Sequence, residues 1–424
     1  MPKTIATTPS WYWPDAVPRV LGVPPVPLAD LVLDGPARHH AEADALGGAG
    51  GSLSAAELAT RVRSVAAALR GQRWEQAAVA VSAGPTSAGV LAVLGALVAG
   101  CPVVLVPPGQ AAGAAALQAV PVTLGIGDAD GIAELAGAGV PTVTVDELAD
   151  RGLGFDDLPV SSGTGPLDDS DPGDADGIGD VAARQRKAAV CMVGTAGPVW
   201  HSHRSLLAGA LALGAFLGPD AGSAWLTLES PCSWDGLCGV LAARLSGAAV
   251  LAAHPGAEAV DMVERCQPIW TAASLADAAA TWSGGGRRRR GGAGSTGRWL
   301  VASVDGPFDP DERRAVAGSS GTGVLTMFGL AETGPVLAAH PSWYLEEAAG
   351  IPVPNMHVVP ADPDTGEPID AMWELLDRAM VSVWSPSLAV AGIAPGPGEP
   401  AGRRYATGIL AASDPNGMLY LVDE

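Results

Sequence analysis

The sequence predicts an α/β protein with two α/β subdomains of mostly parallel sheets and a small C-terminal β-barrel-like subdomain. Short apolar strands alternate with helices from Ser54 to about Val143, and the alternation resumes after Ala188. Such a pattern is typical of parallel sheets with helices on their faces. After about residue 350, short apolar runs are separated by Pro, Gly and Asp turns, as in antiparallel sheets or a barrel. The predicted boundaries are 1–190, 191–340 and 341–424.

The elements of the first subdomain follow from helix caps and from the spacing of apolar residues. Ser54 lies three residues before Glu57, the spacing of a capping box, so a helix should begin there. The apolar run from Val90 to Pro108 approaches the length of a membrane span, but glycines and prolines interrupt it. It is therefore predicted to be a buried helix followed by a buried strand. Further strands are predicted at 77–81 and near Val122 and Val143, and a further helix at 110–119.

Composition and charge limit the classes of function. The chain has 424 residues and a formal net charge of -21, which argues against binding to nucleic acid or to an anionic membrane, because both need clustered cations. Five scattered cysteines lack the two-residue spacing of a zinc knuckle, and the N-terminus has no signal-like apolar segment. We therefore expect a reduced, cytoplasmic protein. Residues 152–183, rich in Gly, Asp, Ser and Pro, are predicted to form a flexible acidic loop.

The second subdomain opens with the stretch from Ala188 to Leu206. An apolar strand at 188–193 is followed by a glycine-bearing turn at 194–198, and a His-Ser-His step then opens an Ala/Leu-rich helix. This is the layout of a loop that cradles phosphate, except that no lysine follows to neutralise charge. The predicted strands that follow are 224–228, 248–252 and 268–272, and the predicted helices are 204–217, 235–246 and 257–265.

An ordered set of motifs resembles the large N-terminal domain of the adenylate-forming superfamily, which includes acyl-CoA synthetases, nonribosomal-peptide adenylation domains and luciferases. The motifs are the helix at 58–62, the segment 93–100, the loop leading into 201–206, Phe328-Gly329-Leu330-Ala331-Glu332-Thr333-Gly334, 351–354 and 405–408. The resemblance covers most of the chain from about Ser52. It implies two α/β subdomains with a small β-barrel, and an activity in which a carboxylic acid and MgATP form an acyl-adenylate whose acyl group passes to a thiol.

Several positions depart from that family's pattern. The loop before His201 is about three residues shorter and lacks the lysine, and the small C-terminal domain is expected to be absent. The resemblance places Val304 and Asp305 against adenine and Ile409 where an aspartate would hold the ribose hydroxyls. Phe328 and Ala331 replace a tyrosine and a threonine, whereas Glu332, the carboxylate on the magnesium side, is kept. These departures predict a nucleotide site that no longer uses ATP in the usual way.

The candidate catalytic residues are His201, His203 and Asp235. A histidine is the usual general base near neutral pH, although the family often has a histidine here in any case. The resemblance assigns Asp235 to a substrate ammonium group, while its position at a helix start equally fits a helix cap. Candidate substrate-binding residues are Trp234, Phe328, Gly329 and Glu332. No cofactor and no metal site are expected.

Three functions follow as hypotheses. The first is ATP-independent transfer or condensation of an acyl or aminoacyl group in bacterial specialised metabolism, with the group delivered as a thioester on CoA or on a carrier protein. The second is a non-catalytic scaffold that binds a carrier protein or a partner enzyme. The third is an unusual acyl-CoA or amino-acid ligase that works with a separate C-terminal domain.

Overall fold

The computed structural model describes residues 13–70, 78–109, 111–152, 188–283, 298–369, 378–392 and 404–423. Apart from its first residue, the predicted acidic loop at 152–183 lies outside the described residues. The described helices are a π-helical turn Asp30–Asp34, α1 Gly35–His39, α2 Ala55–Arg70, α3 Ser87–Ala99, α4 Ala111–Ala119, α5 Ala129–Gly137, α6 Val145–Gly152, α7 His203–Leu217, α8 Trp234–Leu245, α9 Ala257–Cys266, α10 Leu275–Ser283 and α11 Pro310–Ser320.

The described strands belong to three sheets. They are β1 Asp44–Gly48, β2 Gly51–Ser54, β3 Ala78–Ser82, β4 Val103–Val106, β5 Val122–Gly127, β6 Thr142–Thr144, β7 Ala188–Gly194, β8 Gly197–Ser202, β9 Ala224–Thr227, β10 Ala249–Ala252, β11 Trp270–Ser274, β12 Trp299–Val304, β13 Gly323–Leu330, β14 Gly334–Ala338, β15 Ile351–Pro352, β16 His357–Ala361, β17 Ala379–Trp384, β18 Tyr405–Ser413 and β19 Leu419–Val422.

Two of the sheets are mostly parallel, as predicted. The six-stranded sheet has the order β6-β5-β3-β4-β7-β8, and its last strand alone runs antiparallel to its neighbour. The nine-stranded sheet has the order β15-β14-β13-β12-β11-β9-β10-β1-β2, with a parallel centre from β13 to β1. Strands β1 and β2 come early in the chain yet join the second sheet. The subdomain boundaries drawn from the sequence remain predictions.

The third sheet is four-stranded and antiparallel, with the order β16-β17-β18-β19. A closed barrel requires the first and last strands to pair, and within the described residues β16 and β19 do not pair. Instead, Leu419 on β19 exchanges backbone hydrogen bonds with Ala349 and Gly350, at 2.8 and 2.9 Å. The edge that would close a barrel is thus occupied, and the barrel-like expectation is replaced by an open sheet.

Local signals located the helices well. The Ser54 amide donates to Glu57 Oε2 at 2.8 Å and the Glu57 amide donates to Ser54 Oγ at 3.3 Å, which is the predicted capping box. The run from Val90 to Pro108 forms most of α3 and all of β4, both buried as predicted. Helix α3 ends at Gly100, whose φ of 75° favours glycine. None of the described helices combines the length and apolar composition needed to cross a bilayer.

Arg313 on α11 is a buried cation, 2% exposed, that joins β13 to the segment around residues 345 and 346. Its guanidinium donates to the Val324 carbonyl at 3.0 Å and to the Leu345 and Glu346 carbonyls at 2.8 and 2.7 Å. It also lies 5.3 Å from the ring centroid of Tyr344. Because a buried charge is costly unless it is hydrogen-bonded, these carbonyls are what make its burial tolerable.

Replacing Arg313 with methionine should lower the free energy of unfolding by about 2–4 kcal/mol, since the buried Val324 carbonyl and the two partly buried carbonyls of residues 345 and 346 then lose their donor. Urea denaturation measures this change. The adjacent Arg314, whose side chain is 49% exposed and pairs with Asp311, is the matched control, and Arg314→Met should cost less than about 1 kcal/mol. Equal losses in the two variants would contradict the structural role of Arg313.

Candidate functional site

The stretch predicted as a phosphate-type loop is a tight β-hairpin. Strands β7 and β8 pair up to Gly194 and Gly197, which leaves Thr195 and Ala196 as the two turn residues. The predicted strand at 188–193 is confirmed, but the turn leads into a second strand before the helix. His201 therefore lies in β8 and does not open α7. Side chains of a strand alternate between its two faces, and His201, like Val199, is on the buried face.

Glu332 follows β13 and is buried against this hairpin, with 1% of the residue exposed. Its Oε1 atom accepts hydrogen bonds from the Thr195 amide and the Thr195 hydroxyl, both at 2.6 Å. Its Oε2 atom is buried and accepts no hydrogen bond from the described residues. The Tyr405 hydroxyl lies 3.4 Å from the Thr195 hydroxyl. One oxygen of the carboxylate is therefore bound to the turn of the hairpin, while the other is buried without a donor among the described residues.

The segment 385–392, which follows β17, crosses the hairpin and holds it from a second side. The Ala389 amide donates to the Glu332 carbonyl at 2.8 Å, and the Val390 amide donates to the Trp200 carbonyl at 2.7 Å. These bonds connect the segment both to β8 and to Glu332, whose side chain accepts hydrogen bonds from the hairpin turn. The hairpin, Glu332 and the segment 385–392 thus form one hydrogen-bonded unit.

The two candidate histidines lie on either side of the helix cap Ser202. His201 Nε2 is 2.6 Å from the Ala331 carbonyl, and His201 Nδ1 is 3.2 Å from the Ser205 hydroxyl. Burial lowers the pKa of His201 and lowers the pKa of His203 to about 4. Both imidazoles are therefore neutral at pH 7, and both nitrogens of His201 are engaged. Their catalytic role remains a prediction.

The candidate substrate-binding residues Trp234 and Gly329 touch each other. A Cβ atom on Gly329 would lie 2.5 Å from Cη2 of Trp234, so the indole packs directly on the glycine backbone. Phe328 pairs with Val304 in the sheet, and its side chain is fully buried in the core. Trp234 and His201 line one small cavity. The structure thus brings Trp234, Gly329 and His201 together and places the Phe328 ring in the core.

Asp235 lies in the first turn of α8, and the residue that caps this helix is Ser233. The Gly236 amide donates to Ser233 Oγ at 3.2 Å and also lies 2.9 Å from Asp235 Oδ1. The helix therefore has a cap that does not depend on Asp235. The alternative in which Asp235 caps the helix is therefore not needed, and the binding of an ammonium group by Asp235 remains a prediction.

Glu229 is a candidate that the sequence analysis missed. It follows β9 closely, and its Oε1 accepts a hydrogen bond from the Ser303 hydroxyl at 3.0 Å. Burial, followed by the negative charges of Asp235 and Asp277, raises the pKa of Glu229 well above its ordinary value. The carboxyl ends of parallel strands are where open α/β sheets bind ligands. An acidic residue directly after the predicted strand 224–228 was the signal that could have identified it.

The positions that the resemblance assigns to adenine and ribose are Val304, Asp305 and Ile409. Val304 is buried at the end of β12, and Asp305 is exposed directly after it. Ile409 is partly buried against the core, and its amide donates to the Thr407 hydroxyl at 3.1 Å. An isoleucine has no acceptor for ribose hydroxyls, so position 409 offers only apolar contact.

The cysteines near the cleft are poorly suited to nucleophilic catalysis. Burial raises the pKa of Cys232 to about 12, and burial together with the charge of Asp235 raises the pKa of Cys238 as well. A thiol with a raised pKa holds little of the reactive thiolate at pH 7. Within the described ranges, no group of three or more His, Cys, Asp or Glu residues is arranged to hold a metal ion.

Replacing Thr195 with valine, which keeps the shape and removes the hydroxyl, should lower the free energy of unfolding by about 1–3 kcal/mol, because the buried Glu332 carboxylate loses a donor. Thr195→Ser keeps the hydroxyl and is the control. Chemical denaturation of both variants measures the difference. A valine variant as stable as the serine variant would show that the hydroxyl does not hold the hairpin.

The stability of the protein should fall below pH 6.5, in part because of His203. In that range the unfolded chain binds a proton at an ordinary histidine pKa of 6.5, while folded His203 stays neutral down to about pH 4. Between pH 7 and pH 5, His203→Gln should lose about 1–2 kcal/mol less than the wild-type chain. Gln118→Ala, at an exposed side chain that does not titrate, should keep the wild-type slope. Identical slopes for wild type and His203→Gln in denaturation at several pH values would refute this account.

Comparison with protein-family models and with curated protein sequences gives no match. Solved structures do match. The crystal structure of VinN is 19% identical, with a TM-score of 0.72, and the alignment covers 93% of this chain and 98% of VinN. A complex of VinN with L-aspartate is also 19% identical, with a TM-score of 0.69, and the alignment covers 96% of this chain and 99% of that protein.

Two ligases have the same architecture. A long-chain-fatty-acid-CoA ligase from Archaeoglobus fulgidus is 13% identical, with a TM-score of 0.74, over 97% of this chain and 86% of the ligase. O-succinylbenzoate coenzyme A synthetase from Bacillus subtilis, in complex with ATP and magnesium, is 16% identical, with a TM-score of 0.70, over 93% of this chain and 79% of the synthetase. At these identities the likeness concerns the fold, and the chain therefore has the fold of the adenylate-forming enzymes.

Proposed function

We propose that this chain uses the adenylate-forming fold without conventional MgATP chemistry, to hold and transfer an acyl or aminoacyl group that arrives already activated as a thioester. The observation that carries the proposal is the Glu332 carboxylate. Where the resemblance expects it to face magnesium and phosphate, it accepts two hydrogen bonds from Thr195 in the hairpin turn.

The residues present do not fit MgATP. The hairpin turn has two residues and no lysine, and the segment 385–392 is hydrogen-bonded to Trp200 on β8 and to the backbone of Glu332. Ile409 offers no acceptor for ribose, and Val304 and Asp305 replace the small residues expected beside adenine. Each lost polar contact weakens nucleotide binding by about 1–3 kcal/mol, so several losses together should abolish it. We therefore derive no step through ATP.

The acidic residues Glu229, which follows β9, and Asp235, in the first turn of α8, support a ligand with an amino group. Asp235 and Glu229 lie close enough that the charge of Asp235 helps raise the pKa of Glu229, with Asp277 adding a smaller effect. An ammonium group between these carboxyls would relieve their mutual repulsion. VinN, which has the same fold, has been solved with L-aspartate, an amino acid, and this also favours an amino acid or aminoacyl ligand here.

The same carboxyls supply the acid–base chemistry that transfer from a thioester needs. As the acceptor amine forms its C–N bond to the acyl carbon, the C–S bond breaks and the thiolate departs. The proton leaves the amine for a carboxylate and passes on to the thiolate. Glu229 suits this role better than His201, whose two nitrogens are both engaged. We assign the proton transfer to Glu229 and Asp235.

A second candidate function is binding without catalysis, as a scaffold for a carrier protein or a partner enzyme. It is favoured by the neutral, fully hydrogen-bonded state of His201 and by the raised pKa values of the nearby thiols. In this case the departures at the nucleotide positions reflect loss of an activity. The carboxyls of Glu229 and Asp235 would then only bind a ligand.

Calorimetry with MgATP should show no binding, and pyrophosphate exchange with a panel of amino acids should show no signal. Aminoacyl N-acetylcysteamine thioesters, offered with amine acceptors, should be turned over by the wild-type chain and at least about a hundredfold more slowly by Glu229→Gln and Asp235→Asn, since general acid–base groups contribute about that much or more. Asp261→Asn, at an exposed position of α9, is the matched control.

Each outcome separates the candidates. ATP binding with exchange would overturn the proposal and favour the unusual ligase. Absence of thioester turnover, together with a stoichiometric partner on co-purification, would favour the scaffold. Turnover that is equally fast in Glu229→Gln and Asp261→Asn would remove Glu229 from the chemistry.

A further inference from the structure

A small cavity lies between helices α7 and α8 and the turn at 331–335. Its free volume is about 20 Å³, and its walls include Leu206, Gly209, Trp234 and Cys238. Because a single water molecule needs about 10–15 Å³ of such space, the cavity has room for one or two small atoms. The cavity is therefore a size-limited site and not a long channel.

The polar groups in the cavity wall are already hydrogen-bonded to the protein. His201 Nε2 donates to the Ala331 carbonyl, and the Ser205 hydroxyl lies within hydrogen-bond distance of both His201 Nδ1 and the Ser202 carbonyl, at 3.2 and 3.0 Å. The Ser387 hydroxyl donates to the Thr333 carbonyl at 2.7 Å. An occupant thus meets carbon atoms and the Cys238 thiol. Such a surface favours an apolar group, since a polar one would lose its hydrogen bonds to water without replacement.

Two residues set the size of this space. Trp234 is wedged against the backbone of Gly329, which fixes the position of the indole. On α7, a Cβ atom at Gly209 would lie 3.2 Å from Pro335 Cδ and 3.9 Å from Cys238 Sγ, so even one methyl group there would narrow the cavity. The absence of a side chain at Gly209 is what leaves room for an occupant.

Part of the cavity wall lies on α8, the helix whose first turn carries Asp235. Asp235 is the next residue after Trp234, and its charge reaches Cys238 in the cavity wall strongly enough to help raise the pKa of that thiol. A carboxylate and an apolar cavity so close to each other match the two ends of a small amino acid, with the ammonium group at one end and the aliphatic side chain at the other.

We propose that this cavity selects the aliphatic chain of the substrate and accepts one or two carbon atoms, with Gly209 and Leu206 as specificity-determining residues. This inference rests on the proposed function in that it names the class of acyl or aminoacyl group. An amino acid with a methyl or ethyl side chain fits, and so does the corresponding short acyl chain. Longer chains meet the ring of Trp234 and the side chains of α7.

Calorimetric titration tests this directly with two series of probes. One series is L-alanine, L-2-aminobutyrate, L-norvaline and L-norleucine, and the other is the straight-chain fatty acids from acetate to hexanoate. In the wild-type chain, affinity should fall at least about tenfold beyond the two-carbon side chain, because overfilling a packed site is costly. Binding within the amino-acid series alone, or within the fatty-acid series alone, identifies the source of the aliphatic chain.

Variants of the wall make the test specific. Leu206→Ala enlarges the cavity and should move the limit to longer chains, whereas Gly209→Ala should move it to shorter ones. Leu211→Ala is the matched control, because Leu211 is a partly buried leucine on the same helix that does not line the cavity. Circular dichroism of each variant verifies folding, and a poorly folded Leu206→Ala leaves Gly209→Ala to decide.

The outcomes divide clearly. Norleucine binding as tightly as alanine, failure of every probe to bind, or a size limit unchanged in both wall variants would overturn the assignment of this cavity. MgATP-dependent pyrophosphate exchange that obeys the same size limit would overturn the proposed function and leave the cavity assignment standing.

Discussion

The buried carboxylate of Glu332 is the constraint on which the candidate site depends. A carboxylate that is 1% exposed needs donors, and the chain has no lysine in the adjacent loop to supply them. The amide and hydroxyl of Thr195 provide two, and they reach the carboxylate because the turn between β7 and β8 is only two residues long. The short loop, the missing lysine and the position of Glu332 are therefore one structural feature.

That feature determines what the rest of the cleft can offer. The segment 385–392 donates to the backbone of Glu332 and of Trp200, so the hairpin is held by its turn and along β8. His201 lies on β8, where its Nε2 atom contacts the Ala331 carbonyl and its Nδ1 atom contacts the Ser205 hydroxyl. A histidine held in this way orients the turn at 331–334, whatever else it does. We therefore place the proposed proton transfer on Glu229, after β9, and on Asp235, in the first turn of α8.

The sequence predicted most of the fold because most of its signals are local. Capping residues such as Ser54 and Thr86, and glycines such as Gly100 at helix ends, act within one turn of helix. What it missed depends on pairing between distant segments. Strand β1 is a small-residue segment with little strand propensity of its own, and it is extended because Leu46 pairs with Val250. Strand β8 and the open edge of the third sheet were missed for the same reason.

In the candidate site, too, residues that belong to local motifs were predicted, whereas a residue whose chemistry depends on distant segments was not. Trp234, Gly329 and His201 were predicted because each belongs to a recognisable motif. In the structure Trp234 and His201 line one cavity, and Gly329 packs against Trp234, while their roles remain predictions. Glu229 belongs to no motif, and its chemistry arises only when β9 and β12 place it beside Ser303 with Asp235 nearby. Its raised pKa is thus a property of the assembled sheet, which no local pattern contains.

The chemistry left to this cleft follows from which groups change protonation near neutral pH. The pKa of His203 is lowered to about 4 and the nearby thiols are raised, so neither exchanges protons readily at pH 7. Burial raises the pKa of Glu229 above its ordinary value, which favours the neutral form of this carboxyl. A carboxyl with a raised pKa, together with a cavity of about 20 Å³, is the reason we propose a small, already activated amine-bearing ligand in place of a triphosphate.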